Sequence, residues 1–250
     1  MDAQGTAVFN VEDPCIRPLG EKFPGKKISF GMRKEALIRF EHMEQEDLSG
    51  MELKFSIGKE RLKARLCVAG LHNVMNALAA AGGAFALGLS PAEIEKGLEN
   101  FKPLKMRFEQ VQLGNGVRLV NDAYNANPLS MEAAFRTVGA GRRSGRFIAV
   151  LGDMKELGEQ SQTLHAQVGQ KGVEAGIDRF FLIGEFAPHF AQGILAAGLP
   201  QDNVRIFDQV DSLVAALEKE MKAGDVVLVK ASRAMQLERI VDALKYKFGA

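Results

Sequence analysis

From residue 108 to the end of the chain, short apolar runs alternate with helical stretches, and this alternation leaves few architectures open. Residues 146–151, 179–183, 204–207 and 225–230 are bounded by polar residues and read as buried strands. Residues 129–138, 160–175, 186–197, 212–222 and 235–245 carry helical spacing. Strands joined by helical crossovers pair in parallel, with helices on both faces. Just upstream, 108–113 and 117–121 flank Gly114-Asn115-Gly116, a hairpin turn. Ligands of such sheets sit beyond the carboxyl ends of the strands.

The first hundred residues read differently. Strands are expected at 6–10, 27–31, 37–40 and 51–57, with Gly58-Lys59-Glu60 turning into 62–68. Residues 73–87 are apolar all round and predict a well-buried helix. Ser90 as N-cap, Pro91 at the first helical position and Glu93 at the third open another helix, running to about 101. Lys102-Pro103-Leu104-Lys105 reads as a linker, giving an α/β protein in two parts, 1–105 and 106–250. The most apolar run, 77–89, is too short to cross a bilayer.

Composition removes some functions. A 46% hydrophobic chain of 250 residues can bury a core without a staple. A net charge of +1 argues against a nucleic-acid binder. Cys15 and Cys67 lack metal spacing and read as two reduced thiols or one disulfide. Met1-Asp2-Ala3-Gln4-Gly5 is neither basic nor apolar, so no signal peptide is read and a cytoplasmic location is expected. Gly20 to Lys27 nearly fits a Walker A loop, but Lys27 stands where Ser or Thr is required and a strand follows, so it reads as a basic turn. No G-x-G-x-x-G opens a helix after a strand. His42 reads as solvated, and His165 and His189 as surface or core-edge residues rather than ligands.

Three strand ends are unusually polar: 121–128 (Asn-Asp-Ala-Tyr-Asn-Ala-Asn-Pro), 152–158 (Gly-Asp-Met-Lys-Glu-Leu-Gly) and 230–235 (Lys-Ala-Ser-Arg-Ala-Met). One such loop is ordinary turn chemistry. Three on one sheet edge, mixing carboxylate, amide and cation, favour a polar ligand site. Asn73 and Asn76, three apart at a helix start, present two amides on one face. They suit either a purine edge or simple N-capping by Asn73.

These residues resemble the Mur ligases, ATP-dependent amide-forming enzymes of bacterial cell-wall synthesis. The likeness covers nearly the whole chain. Gly70-x-His72-Asn73-x-x-Asn76 before an Ala-rich helix, Arg107-x-Glu109, and Asp122 after a strand carry it. The loop from Asp122 to Met131, with the loops at 152–158 and 230–235, is similar to the branch that joins D-alanyl-D-alanine to UDP-N-acetylmuramoyl-tripeptide. The resemblance implies that 1–105 is the tail of a central ATPase domain without its P-loop, and that 106–250 is a C-terminal Rossmann-like domain. A truncated piece, inactive alone and monomeric, is therefore expected.

The resemblance also implies ATP and Mg2+ as cofactors, with the magnesium ligands mostly outside these residues. Asn73 and Asn76 would contact adenine, Arg107 the phosphates or ribose, and Asp122 the ribose. Tyr124, Asn125, Asn127, Lys230, Ser232 and Arg233 would orient D-alanyl-D-alanine, with Lys230 and Arg233 holding its carboxylate. Asp153 and Lys155 would line the same cleft. No complete catalytic set, no metal ligand, no nucleic acid and no membrane span is expected. Leu104-Lys105 stands where Pro-Gly is usual, and Ala231 where Gly is. The competing readings are a non-catalytic nucleotide- or peptide-binding module, and another Mur-type or folate-type ligase.

Overall fold

A computed structural model describes residues 4–45, 47–142 and 144–249; the start of the chain, on which the signal-peptide reading rests, lies largely outside them. The chain divides into two compact units, Met1–Lys102 and Pro103–Ala250. Among the described residues no helix is long and apolar enough to cross a membrane.

In the first unit, β1 (Thr6–Asn10), β2 (Lys26–Gly31), β3 (Ile38–Glu44), β4 (Met51–Ile57) and β5 (Glu60–Leu66) form one sheet in that order. β1, β2 and β3 pair in parallel, and β3–β4–β5 are antiparallel. The expected strands are present. The basic turn is not wholly a turn, because a short α1 (Ile16–Lys22) takes its first three residues.

Helix α2 (Leu71–Ala86) lies on the sheet and α3 (Pro91–Glu99) runs beside β5. Val74, Leu78 and Ala81 of α2 and Ile94 of α3 join Ile28, Ile38, Leu53, Phe55 and Leu66 in one apolar core. α2 is not buried all round. Its buried residues fall on one stripe, and Leu87 just beyond its end is exposed. The alanines make the opposite face apolar without making it a core. α3 starts as read: Ser90 accepts from the Glu93 N–H while Glu93 reaches back to the Ser90 N–H.

The second unit holds β6 (Glu109–Gln112), β7 (Arg118–Asp122), β8 (Phe147–Gly152), β9 (Arg179–Ile183), β10 (Val204–Phe207) and β11 (Val226–Lys230). Their spatial order is β10-β9-β8-β11-β7-β6, parallel except for the β6–β7 hairpin. The connecting helices are α4 (Pro128–Gly141), α5 (Ser161–Glu174), α6 (Ala187–Ala196), α7 (Val210–Glu220) and α8 (Glu238–Phe248). α7 and α8 cover one face, where Leu213, Leu217, Ile240 and Leu244 pack on Leu119, Ile148, Val150, Val227 and Val229. The crossovers through α4, α5 and α6 all step the same way along the sheet and take the other face, whereas α7 steps back. β8 and β11 are buried along their whole length, so they read as continuous apolar runs rather than alternating ones.

Candidate functional site

β7, β11 and β8 are neighbours and parallel, so the three polar loops leave the same edge of the sheet. There the connections reverse direction, and such a crevice is where open α/β sheets hold ligands. One hydroxyl ties the loops together. Ser232 Oγ accepts from the Lys155 N–H at 2.9 Å and donates to the Ala126 carbonyl at 3.4 Å. The Ser232 N–H donates to the Asp153 carbonyl at 3.0 Å.

The register of β11 and β7 sets Lys230 opposite Asp122. The Lys230 ammonium lies 2.5 Å from Asp122 Oδ2 and donates to the Asn125 carbonyl at 3.0 Å. Its side chain is only 3% exposed, so this cation faces inward and not toward an open cleft. Asp122 Oδ1 accepts the Phe108 N–H at 3.0 Å and so holds the turn that carries Arg107. Glu109 holds the same turn from the other side, accepting from the Met106 N–H and from Asn121 Nδ2, each at 3.0 Å. Arg107 is exposed, and its guanidinium lies 4.1 Å above the Tyr124 ring. Met106 and Phe108 on either side of it have positive φ, as do Glu156 and Gln236 in the other two loops. These are the four side-chain-bearing residues with positive φ among the described residues, and all four fall in loops of this one edge. Backbone strain of this kind collects where surrounding structure holds a site in place.

Other expected residues take different parts. Asn127 is the N-cap of α4: its Oδ1 accepts the Ser130 N–H at 2.9 Å while Ser130 Oγ accepts the Asn127 N–H. Asn125 is exposed and turns its Oδ1 back to the Ala126 N–H. Arg233 is exposed and paired with Glu238. Asp153 is buried and receives the Glu185 and Phe186 N–H groups at the start of α6, with the Lys155 ammonium at 2.8 Å. His165 is a correction to the sequence reading, because it is fully buried; its Nε2 accepts the Met154 N–H at 2.9 Å. Burial pushes its pKa below the ordinary imidazole value, against the Ser161 carbonyl and Asp153, which raise it. Asp153, His165 and Glu109 were missed as structural holders because their partners are distant in sequence or are backbone groups.

In the first unit Gly70, not Asn73, stands at the N-cap of α2. Asn73 lies within the first turn and donates to the Ala69 carbonyl at 2.8 Å, and Asn76 Nδ2 donates to Asn73 Oδ1 at 3.2 Å. The two amides share one face and border an apolar cavity of about 290 Å³ between α2 and α3, closed by Leu66, Ala81, Ile94 and Leu98. No cluster of three or more His, Cys, Asp or Glu able to hold a metal occurs among the described residues. Cys15 and Cys67 are free thiols.

Two family models match the chain: the Mur ligase middle domain over residues 1–84, and the Mur ligase, glutamate ligase domain over residues 106–233. The UDP-N-acetylmuramoyl-tripeptide–D-alanyl-D-alanine ligase of Bacillus subtilis (strain 168) is 38% identical over 177 residues, covering 71% of this chain and 38% of that protein. The protein of the same name from Mycobacterium bovis is 30% identical, covering 96% of this chain and 51% of the relative. A crystal structure of MurF from Acinetobacter baumannii superposes with a TM-score of 0.83 at 27% identity, covering 97% of this chain and 52% of that one. The chain spans about half or less of the length of the relatives it matches.

Proposed function

The chain belongs to the Mur ligase family, and on that premise we propose that it is part of an ATP-dependent ligase joining D-alanyl-D-alanine to UDP-N-acetylmuramoyl-tripeptide. In this reaction the tripeptide carboxylate is activated as an acyl phosphate. The dipeptide amine attacks the carbonyl carbon, the bond to the phosphate oxygen breaks, and phosphate leaves as the nitrogen gives up its proton to solvent.

The residues of this chain would bind and orient. Asn73 and Asn76 present donor and acceptor atoms beside an apolar cavity, which suits a flat base such as adenine. Asp122, held by Lys230 and the Phe108 N–H, keeps lone pairs for ribose hydroxyls, and Arg107 stands on the adjoining turn for phosphate oxygens. Of the two cations expected at the dipeptide carboxylate, Lys230 is buried and Arg233 is exposed; the planar fork of Arg233 suits that carboxylate, which would displace Glu238. Lys230, buried, aims the loop through Asn125, and Ser232 sets the distance between the loops. Tyr124 and Asn125 are the exposed groups left to line the dipeptide, while Asn127 serves by capping α4. Magnesium is expected of the reaction, with its ligands mostly outside these residues.

The observation that carries this reading is the Ser232 cross-link of three polar strand-end loops around the Asp122–Lys230 pair. Calorimetric titration of this chain with D-alanyl-D-alanine, and then with ATP, with and without Mg2+, tests it. Weak binding is expected, with Arg233→Ala weakening the dipeptide and Asp122→Asn weakening ATP. Absence of both, here and in the protein with its upstream sequence, overturns the reading. A non-catalytic binding module is the second reading, because Gly20 to Lys27 fails as a phosphate loop. ATP- and dipeptide-dependent phosphate release by the upstream-extended protein, and none by these residues alone, separates the two.

A further inference from the structure

The reading above leaves a buried titratable group beside the three loops unused. His165 lies in the second turn of α5, with its ring stacked on Phe186 at 4.6 Å and edge-on to Phe190 at 4.8 Å. Its Nε2 meets the Met154 N–H at 2.9 Å, and its Nδ1 lies 2.6 Å from the Ser161 carbonyl oxygen. A backbone N–H only donates and a carbonyl only accepts. The two contacts together therefore place the proton on Nδ1 and the lone pair on Nε2.

Met154 lies between the two residues that Ser232 grips. The Asp153 carbonyl accepts the Ser232 N–H, and the Lys155 N–H reaches Ser232 Oγ. The imidazole holds this segment from the helix side, and Ser232 holds it from the cleft side. Ser232 in turn contacts the Ala126 carbonyl of the loop that follows β7.

We propose that His165 is a positioning residue: as neutral imidazole with its proton on Nδ1, it pins Met154 and so fixes where Lys155 stands and how Ser232 spaces the loops of this strand-end site. The proposal deepens the ligase reading and rests on it. A proton added at Nε2 would set N–H against N–H and release the pin. The charged and titratable groups facing the ring are Asp153 and Lys155 of the pinned loop and His189 of α6. Burial favours the neutral ring, His189 and Lys155 reinforce that, and Asp153 and the Ser161 carbonyl oppose it. The net shift is downward, so the pin holds at neutral pH and opens only on acidification below the ordinary imidazole range.

The test uses the isotopically labelled full chain, with D-alanyl-D-alanine as probe, between pH 7.5 and 5. Imidazole nitrogen shifts should report the Nδ1–H tautomer at pH 7.5. On acidification the backbone amides of residues 153–157 and 232–236 should move together, and dipeptide affinity should fall about tenfold, the worth of one hydrogen bond to a buried group. His165→Gln retains an acceptor, so it should keep the loop and the affinity while erasing their pH dependence. His165→Phe keeps the ring packing without the acceptor, so it should displace the loop amides already at pH 7.5. The Nε2–H tautomer, or an undisplaced loop in the Phe variant, overturns the proposal; if that variant does not fold, the Gln variant and the tautomer decide. Loss of dipeptide binding at every pH with the amide response intact counts against the ligase reading alone. Dipeptide binding with a loop indifferent to His165 counts against the pin alone.

Discussion

The six-stranded sheet carries at each end an ion pair with one buried partner, and the two pairs are built differently. Where the parallel strands begin, Arg146 grips Asp225 through two nitrogens, at 2.6 and 3.3 Å, while the Arg146 and Lys222 N–H groups fill the remaining acceptor sites. The turns there place glycines in the left-handed region, Gly116, Gly145, Gly176, Gly198 and Gly224, where that conformation is free of strain. Where the strands finish, Lys230 meets Asp122 at a single point, and the left-handed positions hold Met106, Phe108, Glu156 and Gln236 beside Gly158 and Gly184. Buried charge alone therefore does not mark a site. The beginning end is closed on itself, whereas the finishing end joins separate loops and keeps a strained backbone.

The largest effect should come from opening the closed end. Asp225→Ala leaves the Arg146 guanidinium with Glu220 alone and strands two backbone N–H groups, and should cost about 3–5 kcal/mol. Lys230→Met leaves Asp122 with the Phe108 N–H and some solvent, and should cost about 1–2 kcal/mol while still weakening ligand. Urea unfolding of this chain measures both, and equal losses would break the distinction. Next comes Gly145→Ala. Its φ is +73° and an added Cβ would lie 2.0 Å from the Gly224 carbonyl oxygen. A left-handed alanine costs about 1–2 kcal/mol and an overpacked contact a similar amount, so about 3 kcal/mol should be lost. A loss under about 1 kcal/mol would mean that the glycine turns are no tighter than the others.

Most of the finishing end was legible as composition and not as geometry. Strand and helix alternation, the Gly-Asn-Gly hairpin and the Ser90–Glu93 capping box are local signals, and each appears where read. Asn127-Pro128 carries an equally local cap signature, yet family likeness drew it toward substrate. Lys230 and Asp122 lie 108 residues apart, so nothing local says that the lysine faces inward. His165 followed the same rule: its partner is a backbone N–H, which has no sequence signature. Helix α1, with Pro18 and Gly20 inside it, shows no helical pattern and exists because Gly20 lets it sit against Phe9.

The two ends should also titrate apart. Burial raises the Asp225 pKa, but hydrogen bonds from Arg146 and Lys222 outweigh it and hold it below the usual carboxylate value. Its stabilisation is therefore complete above about pH 4 and is lost as pH falls through the depressed value. His165 is also depressed, so the fold favours the neutral ring and that contribution is complete above about pH 6.5. It drains away as pH falls from there to the lower folded value, because the unfolded chain takes the proton first. Unfolding free energy should fall between pH 7.5 and 5.5 in the wild type and stay flat in His165→Gln. An equal slope in both would remove the imidazole from the comparison.

The smallest effect runs the other way. Glu156 and Gln236 are exposed and left-handed, with φ of +66° and +51°, so their side chains give up little packing when removed. Glycine at either position removes a penalty of about 1–2 kcal/mol. It adds unfolded-chain entropy worth about 0.5–1 kcal/mol, leaving a net gain near 0.5–1 kcal/mol. Stabilisation of this kind at a ligand edge normally comes with lost function, because the strained backbone is what the surrounding contacts hold in a working shape. Glu156→Gly and Gln236→Gly should therefore raise the urea midpoint slightly and weaken the proposed D-alanyl-D-alanine binding. A raised midpoint with unchanged binding would make the strain incidental. A lowered midpoint would mean that these residues are held by contacts beyond their own backbone, and that the two ends differ less than their turns suggest.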